Sequence, residues 1–347
     1  GLDAVLDAHS HSVIEEKTVK DKSGDDVLLS STGTKFAYVG KLTIKNGVLD
    51  TELVAVDSYT KTDPTVDAYI KEINESYSQL GDRKIGESKV ELITHDKDGN
   101  RLVRNAETNL GDFCSDALRV ITDADIAFVN GGGLRAPLAA GDVTFNDIFS
   151  VFPFNNQLVT AEISGQILID FLETATMSYP EEDGSFPHMS GVTFSLNRSI
   201  PSSVKMDENG FFEKVDGEYR VYNVKVLDKA SGEYKPLDLN GKYVIAGFNY
   251  FLIEFGGGMA MFKDAKILDA EGGLDVETLE NYIVEHLGGV IGEEYSEVKN
   301  NITFTDGVVT DDPSLPDTAD NSHVVACGLI ALISILCISA AYRRKEE

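Results

Sequence analysis

An α+β fold with a mixed sheet is what this sequence predicts, and three observations carry the prediction. Its 347 residues are enough for more than one packed core. Segments with helical apolar spacing alternate irregularly with short apolar or alternating runs, which fits neither a helix bundle nor a regular βαβ series. No repeat period orders the segments.

Composition narrows the function classes. The chain is 42% hydrophobic and 25% charged, a globular mixture. Its 58 acidic and 30 basic residues give a formal net charge of -28, and such a surface repels DNA and RNA instead of neutralising their phosphates. A nucleic-acid polymer is therefore excluded as a partner. A small anion can still be held where arginines converge locally, which singles out Arg101, Arg104 and Arg135. The three cysteines, Cys114, Cys327 and Cys337, outline no disulfide framework.

Residues 1–57 read as strands and turns, including FAYVGKLTIKNG with alternating apolar positions and an Asn46-Gly47 turn. Asp63-Pro64 then signals a helix start, and Val66, Tyr69, Ile70, Ile73, Tyr77 and Leu80 follow at helical spacing up to Gly81. GESKVELI suggests a strand. LGDFCSDALRVI suggests a helix with Leu110, Phe113, Ala117, Leu118 and Ile121 on one face. Residues 125–129, 219–226 and 243–248 are further strand candidates.

The far end has a different character. Residues 324–342 form an uncharged apolar run of the length a membrane helix needs, and Arg343, Arg344 and Lys345 follow it, as expected on a cytoplasmic side. An acidic, proline-containing spacer precedes the run, and within it LPDTA resembles a variant of the sorting motif of Gram-positive surface proteins. That resemblance implies cleavage between Thr318 and Ala319 by a sortase and attachment to peptidoglycan. It places the protein outside the cell, anchored to the wall or membrane.

Two motifs point to chemistry. His9 and His11 stand two apart in AHSH after an apolar run, a spacing from which a turn can aim both imidazoles at one ion. FVNGGGLRA, residues 128–136, runs three glycines into Arg135. It formally fits a dinucleotide-binding turn, but that reading needs a helix to start at the glycines and Pro137 opposes one. The competing reading is a turn where glycine allows close approach of main chain to a ligand and the arginine supplies a planar fork.

The ordered set NxxxNLGD, VNGGGLR, LAAGDVTFND, FPFNN and ISGQILIDFLE resembles the C-terminal domain of the 5'-nucleotidase family, and GLDAVLDAHSH resembles the segment that closes the metal site of calcineurin-like metallophosphatases. The resemblance implies that residues 1–57 end a metallophosphatase αββα sandwich, 58–82 form a linker helix, and 83–305 form the nucleotide-binding domain. Residues 306–323 would be the spacer, 324–342 the transmembrane helix and 343–347 the cytoplasmic tail. It also implies that Arg104 and Arg135 contact substrate, that Phe154 and Phe251 stack on a base, and that Asn156 reads the base edge. Gly257 stands where the family has a ribose-holding aspartate, and losing charge-assisted bonds there would weaken binding by about 1.5 to 3 kcal/mol each. His9 and His11 become ligands of two divalent ions such as zinc or manganese. The remaining ligands are expected upstream, so this chain alone is expected to be inactive. The implied activity is metal-dependent release of phosphate from nucleoside phosphates. A 2',3'-cyclic-nucleotide 2'-phosphodiesterase/3'-nucleotidase, a UDP-sugar hydrolase and a non-catalytic nucleoside-binding module remain open.

Overall fold

The computed structural model describes residues 1–57 and 59–307. The sorting pentapeptide and the apolar run at 324–342 lie outside the described residues. Among those described, no helix is long and apolar enough to cross a membrane. Chain contacts divide the molecule into two compact units, Gly1–Ser78 and the portion from Gln79 onward.

In the first unit, Ala4–Asp7 pairs in parallel with Asp26–Thr32, which pairs antiparallel with Val13–Lys20. Tyr38–Lys45 and Val48–Ala55 form the expected hairpin. Its two turn residues, Asn46 and Gly47, both take positive φ (53° and 79°), the combination a two-residue turn needs to follow strand twist. The helix Pro64–Gly81 begins where Asp63 signals it. The Asp63 Oδ1 atom accepts from Thr65 N at 2.8 Å and Val66 N at 3.3 Å, satisfying amides that have no partner inside the helix.

The second unit is built on a five-stranded mixed sheet. Its order is Pro187–Ser190, Ile126–Asn130, Lys242–Phe248, Leu158–Ser164, Lys266–Asp269. Ile126–Asn130 runs parallel to Lys242–Phe248, and the other pairings are antiparallel. The apolar run IAFV has no polar alternation because both sheet faces are covered. Ile126 and Phe128 enter one core with Phe171 and Leu172 of the helix Gly165–Ala175, whereas Ala127 and Val129 enter the other with Phe113 and Leu118 of the helix Asn109–Thr122. A second sheet runs Glu233–Pro236, Val221–Asp228, Val192–Asn197, Ile302–Thr305.

Element ends follow local chemistry. Thr108 caps the Asn109–Thr122 helix, its Oγ1 accepting from Gly111 N at 3.2 Å. The strand expected in GESKVELI occupies Lys84–Ser88 and stops there, because Ser88 Oγ donates to Val90 O at 2.7 Å and the chain turns.

Candidate functional site

The strand Ile126–Asn130 delivers the glycines of FVNGGGLRA to the end of the central sheet. None of Gly131, Gly132 and Gly133 takes a positive φ, so left-handed freedom is not what these positions use. The need is space. A Cβ on Gly131 would fall 1.8 Å from Val103 O, and one on Gly132 would fall 2.9 Å from Gly184 O. The expectation that the glycines open the main chain to a ligand is thus corrected: they admit two neighbouring segments of the chain itself. Gly131 N donates to Phe186 O and Gly132 N to Gly184 O, both at 2.8 Å. No helix starts here, which removes the dinucleotide turn; the next one is Phe145–Val151.

Those two neighbouring segments carry the charged groups. Residues 101–104 bring Arg101 and Arg104, residues 182–184 bring Glu182 and Asp183, and Asp183 N donates to Arg104 O at 2.9 Å. Arg101 Nε donates to Glu182 Oε2 at 2.7 Å, so its charge is matched. Arg104 differs. Its half-buried guanidinium has no hydrogen-bond or ion-pair partner among the described residues. Burial, and after it the charges of Arg101 and Arg135, press its pKa below the usual arginine value. Arg135 is depressed likewise, by burial first and Arg101 second. Three guanidiniums therefore lie near one another in a chain of net charge -28, and the carboxylates of Glu182 and Asp183 offset part of their repulsion at Arg104. A bound anion would offset more of it.

The aromatic residues separate. Phe154 is 54% exposed, and the Arg135 guanidinium carbon sits 5.6 Å from its ring centroid, a cation–π distance. Its ring offers a free face beside the arginines. Phe251 is 2% exposed, with edge contacts to Phe128 at 5.6 Å and Tyr250 at 5.0 Å. The expectation of an open stacking face at Phe251 is corrected accordingly, since those rings enclose it. The exposed ring of that segment is Tyr250, at 45%; Gly256 makes room for it, because a Cβ there would lie 2.3 Å from the tyrosine ring.

Asn156 is also placed differently from expectation. Its Nδ2 donates to Asp275 Oδ2 at 3.2 Å and its backbone N to the same oxygen at 2.9 Å, so its amide nitrogen is engaged in pinning the loop to the helix Asp275–Asn281. Gly257 takes φ +64°. A Cβ there would fall 2.5 Å from Ser185 Oγ and 3.4 Å from Phe251 Cε1, which ties this loop to the 183–185 segment and so to the arginines. Glu182, Tyr250 and Ser185 were not legible as site residues, because only long-range pairing brings them there.

In the first unit, His9 is exposed and His11 half-buried, with φ 58° at His11. Asp7 organises the turn: its carboxylate accepts from His9 N at 3.1 Å and from the hydroxyls of Ser10 and Ser31. Among the described residues no group of three or more His, Cys, Asp or Glu side chains is placed to hold a metal ion. Two imidazoles alone do not complete a metal centre.

Residues 84–264 match the family described as 5'-nucleotidase, C-terminal domain. The chain belongs to this family. It is 25% identical over 292 residues to the trifunctional nucleotide phosphoesterase protein YfkN of Bacillus subtilis, covering 80% of this chain and 18% of that protein. To a 5'-nucleotidase of Vibrio parahaemolyticus it is 30% identical over 167 residues, 48% of this chain and 28% of the other. The solved 5'-nucleotidase precursor of Thermus thermophilus shares the fold, with a TM-score of 0.67 at 23% identity, over 87% of this chain and 59% of that one. The chain spans less than two thirds of the length of the curated relatives it matches. By family, this 5'-nucleotidase-type chain is related to hydrolases.

Proposed function

We propose that this chain is the nucleotide-recognising portion of a metal-dependent phosphohydrolase that releases phosphate from nucleoside phosphates at the cell surface. The observation that carries the reading is the half-buried Arg104, which has no hydrogen-bond or ion-pair partner among the described residues and lies near Arg101 and Arg135. A guanidinium held off water beside two like charges is stabilised by a bound anion, and its planar fork fits phosphate oxygens. The exposed ring of Phe154 beside Arg135 supplies a surface on which any base can stack. Phosphate at the arginines and base at the ring together describe a nucleotide.

If two divalent ions, zinc or manganese, are held with His9 and His11 among their ligands, the remaining ligands would come from outside the described residues. When bound, such ions supply a hydroxide nucleophile and polarise the phosphoryl group. The contribution of the second unit's own residues is to bind and orient. The spacer, the Thr318-Ala319 bond and the run at 324–342 support export and anchoring to the wall of a Gram-positive cell, with sortase and peptidoglycan as partners.

The test has two parts. AMP binding by the complete chain, measured by calorimetry, should weaken at least about tenfold in Arg104→Ala and by less in Arg101→Ala, whose charge Glu182 already balances. Equal losses would overturn the assignment to Arg104. Phosphate release from AMP with manganese or zinc by a protein that also carries the upstream ligand segment, and its suppression by a chelator, then decides between hydrolase and binding module.

A further inference from the structure

His188 lies in the strand Pro187–Ser190 opposite Val129 and is fully buried. Its Nε2 is 2.9 Å from Val103 O. A carbonyl can only accept, so Nε2 carries the proton and Nδ1 is left as a bare acceptor. Nδ1 is buried without a hydrogen-bond partner among the described residues, a loss on the order of 1–3 kcal/mol. Space for the ring comes from Gly111, where a Cβ would fall 1.9 Å from Nδ1. Gly111 lies in the first turn of the Asn109–Thr122 helix, its N–H donating to Thr108 Oγ1. Burial lowers the imidazole pKa to about 4, so the ring is neutral near pH 7. A leucine would avoid the bare Nδ1 but would leave the buried Val103 carbonyl without this donor, so what the histidine supplies here is its hold on that carbonyl.

The peptide that His188 holds is the one that launches Arg104. Val103 O meets His188 Nε2 and is wedged against Gly131, while Arg104 O accepts from Asp183 N at 2.9 Å. Both carbonyls flanking the Arg104 α-carbon are thereby fixed. With no hydrogen-bond or ion-pair partner among the described residues to steer it, the Arg104 guanidinium takes its direction from this backbone.

We propose that His188 is a positioning residue for nucleotide binding: through its hydrogen bond to the Val103 carbonyl it aims Arg104 at the phosphate. This rests on the nucleotide reading above. The bland alternative is that His188 merely stabilises the fold.

The experiment measures binding of AMP and of adenosine by the complete chain for the wild type, His188→Leu, His188→Gln, Arg104→Ala and the His188→Leu/Arg104→Ala double variant. His188→Leu should weaken AMP about tenfold, through loss of one hydrogen bond that orients a charged contact. Adenosine, which has no phosphate, should bind as before. His188→Gln, whose amide can donate to the same carbonyl, should restore AMP binding to within about threefold. The double variant should bind AMP no more weakly than Arg104→Ala alone. Additive losses, an equal loss for adenosine, or a failed glutamine rescue would each overturn the proposal. His188→Met, also lacking a donor, carries the same comparison if the leucine variant does not fold. A wild-type chain that binds no nucleotide would defeat the nucleotide reading itself. The positioning is then read from the Arg104 Nε–H resonance, and a resonance that His188→Leu leaves unmoved would overturn it.

Discussion

At the scale of single residues, Gly257 shows how backbone conformation and a neighbouring side chain together restrict a position. A side chain there meets two obstacles, a left-handed backbone at φ +64° and the Ser185 hydroxyl 2.5 Å from where a Cβ would stand. Gly257→Asp should therefore lower the melting temperature by several degrees, an effect of about 1–3 kcal/mol. The double variant Ser185→Gly/Gly257→Asp should recover part of that loss, because only the backbone strain remains. Circular dichroism melts read both, and a double variant no more stable than Gly257→Asp would show that Ser185 is not the obstacle. The identity of this position was plain in the sequence, whereas its neighbour was not, since Ser185 meets Gly257 only after the strands pair. The same holds for the two phenylalanines. Nothing local distinguishes Phe154 from Phe251; one is open and the other closed because Phe128 and Tyr250 pack around the second ring alone.

Elements were more legible. The helix Pro64–Gly81 follows from apolar spacing and Asp63, and the hairpin at Asn46-Gly47 from its turn residues. Both depend on neighbours within a few residues, the range over which sequence patterns carry physical information. The start of the Asn109–Thr122 helix hides something that spacing could not show. The Asp112 carboxyl is raised to about 8, by burial first and by Glu107 second. Glu107 is itself fixed by accepting from Asn301 N at 2.9 Å and Ile302 N at 3.0 Å. The folded protein holds the Asp112 proton more tightly than the unfolded chain, where an aspartate has its ordinary pKa of 3.8. Its stabilising effect is complete below that value and is lost as pH rises through about 8. Glu173, raised to about 7 chiefly by burial, has the same sign. His188 has the opposite sign, losing stability as pH falls from 6.5 through about 4. Asp112→Asn mimics the protonated carboxyl, so its urea midpoint should fall less than that of the wild type between about pH 5 and pH 8. Parallel declines would show that Asp112 does not titrate in this range.

At the scale of the whole molecule, a net charge of -28 opposes the approach of any nucleotide, and the arginines act only nearby. Raising ionic strength from about 0.01 to 0.1 M shortens the screening length from roughly 30 to 10 Å. Long-range repulsion is weakened more than contacts inside a half-buried cluster. Stopped-flow measurement should therefore show AMP associating faster as salt is added, opposite to the behaviour of a basic nucleic-acid binder. An association rate that falls with salt would mean that the arginine field reaches well beyond the site.

The stitching of the 101–104 and 182–184 segments onto the glycine turn carries one more implication, for assembly. Arg101 and Glu182 are 81 residues apart in the chain, and Asn130 and Gly184, also hydrogen-bonded, are 54 apart. Contacts of that span must close large loops before they return any energy. The arginine cluster thus has no counterpart in a half-assembled chain, and a nucleotide that binds it draws the population toward the finished molecule by mass action.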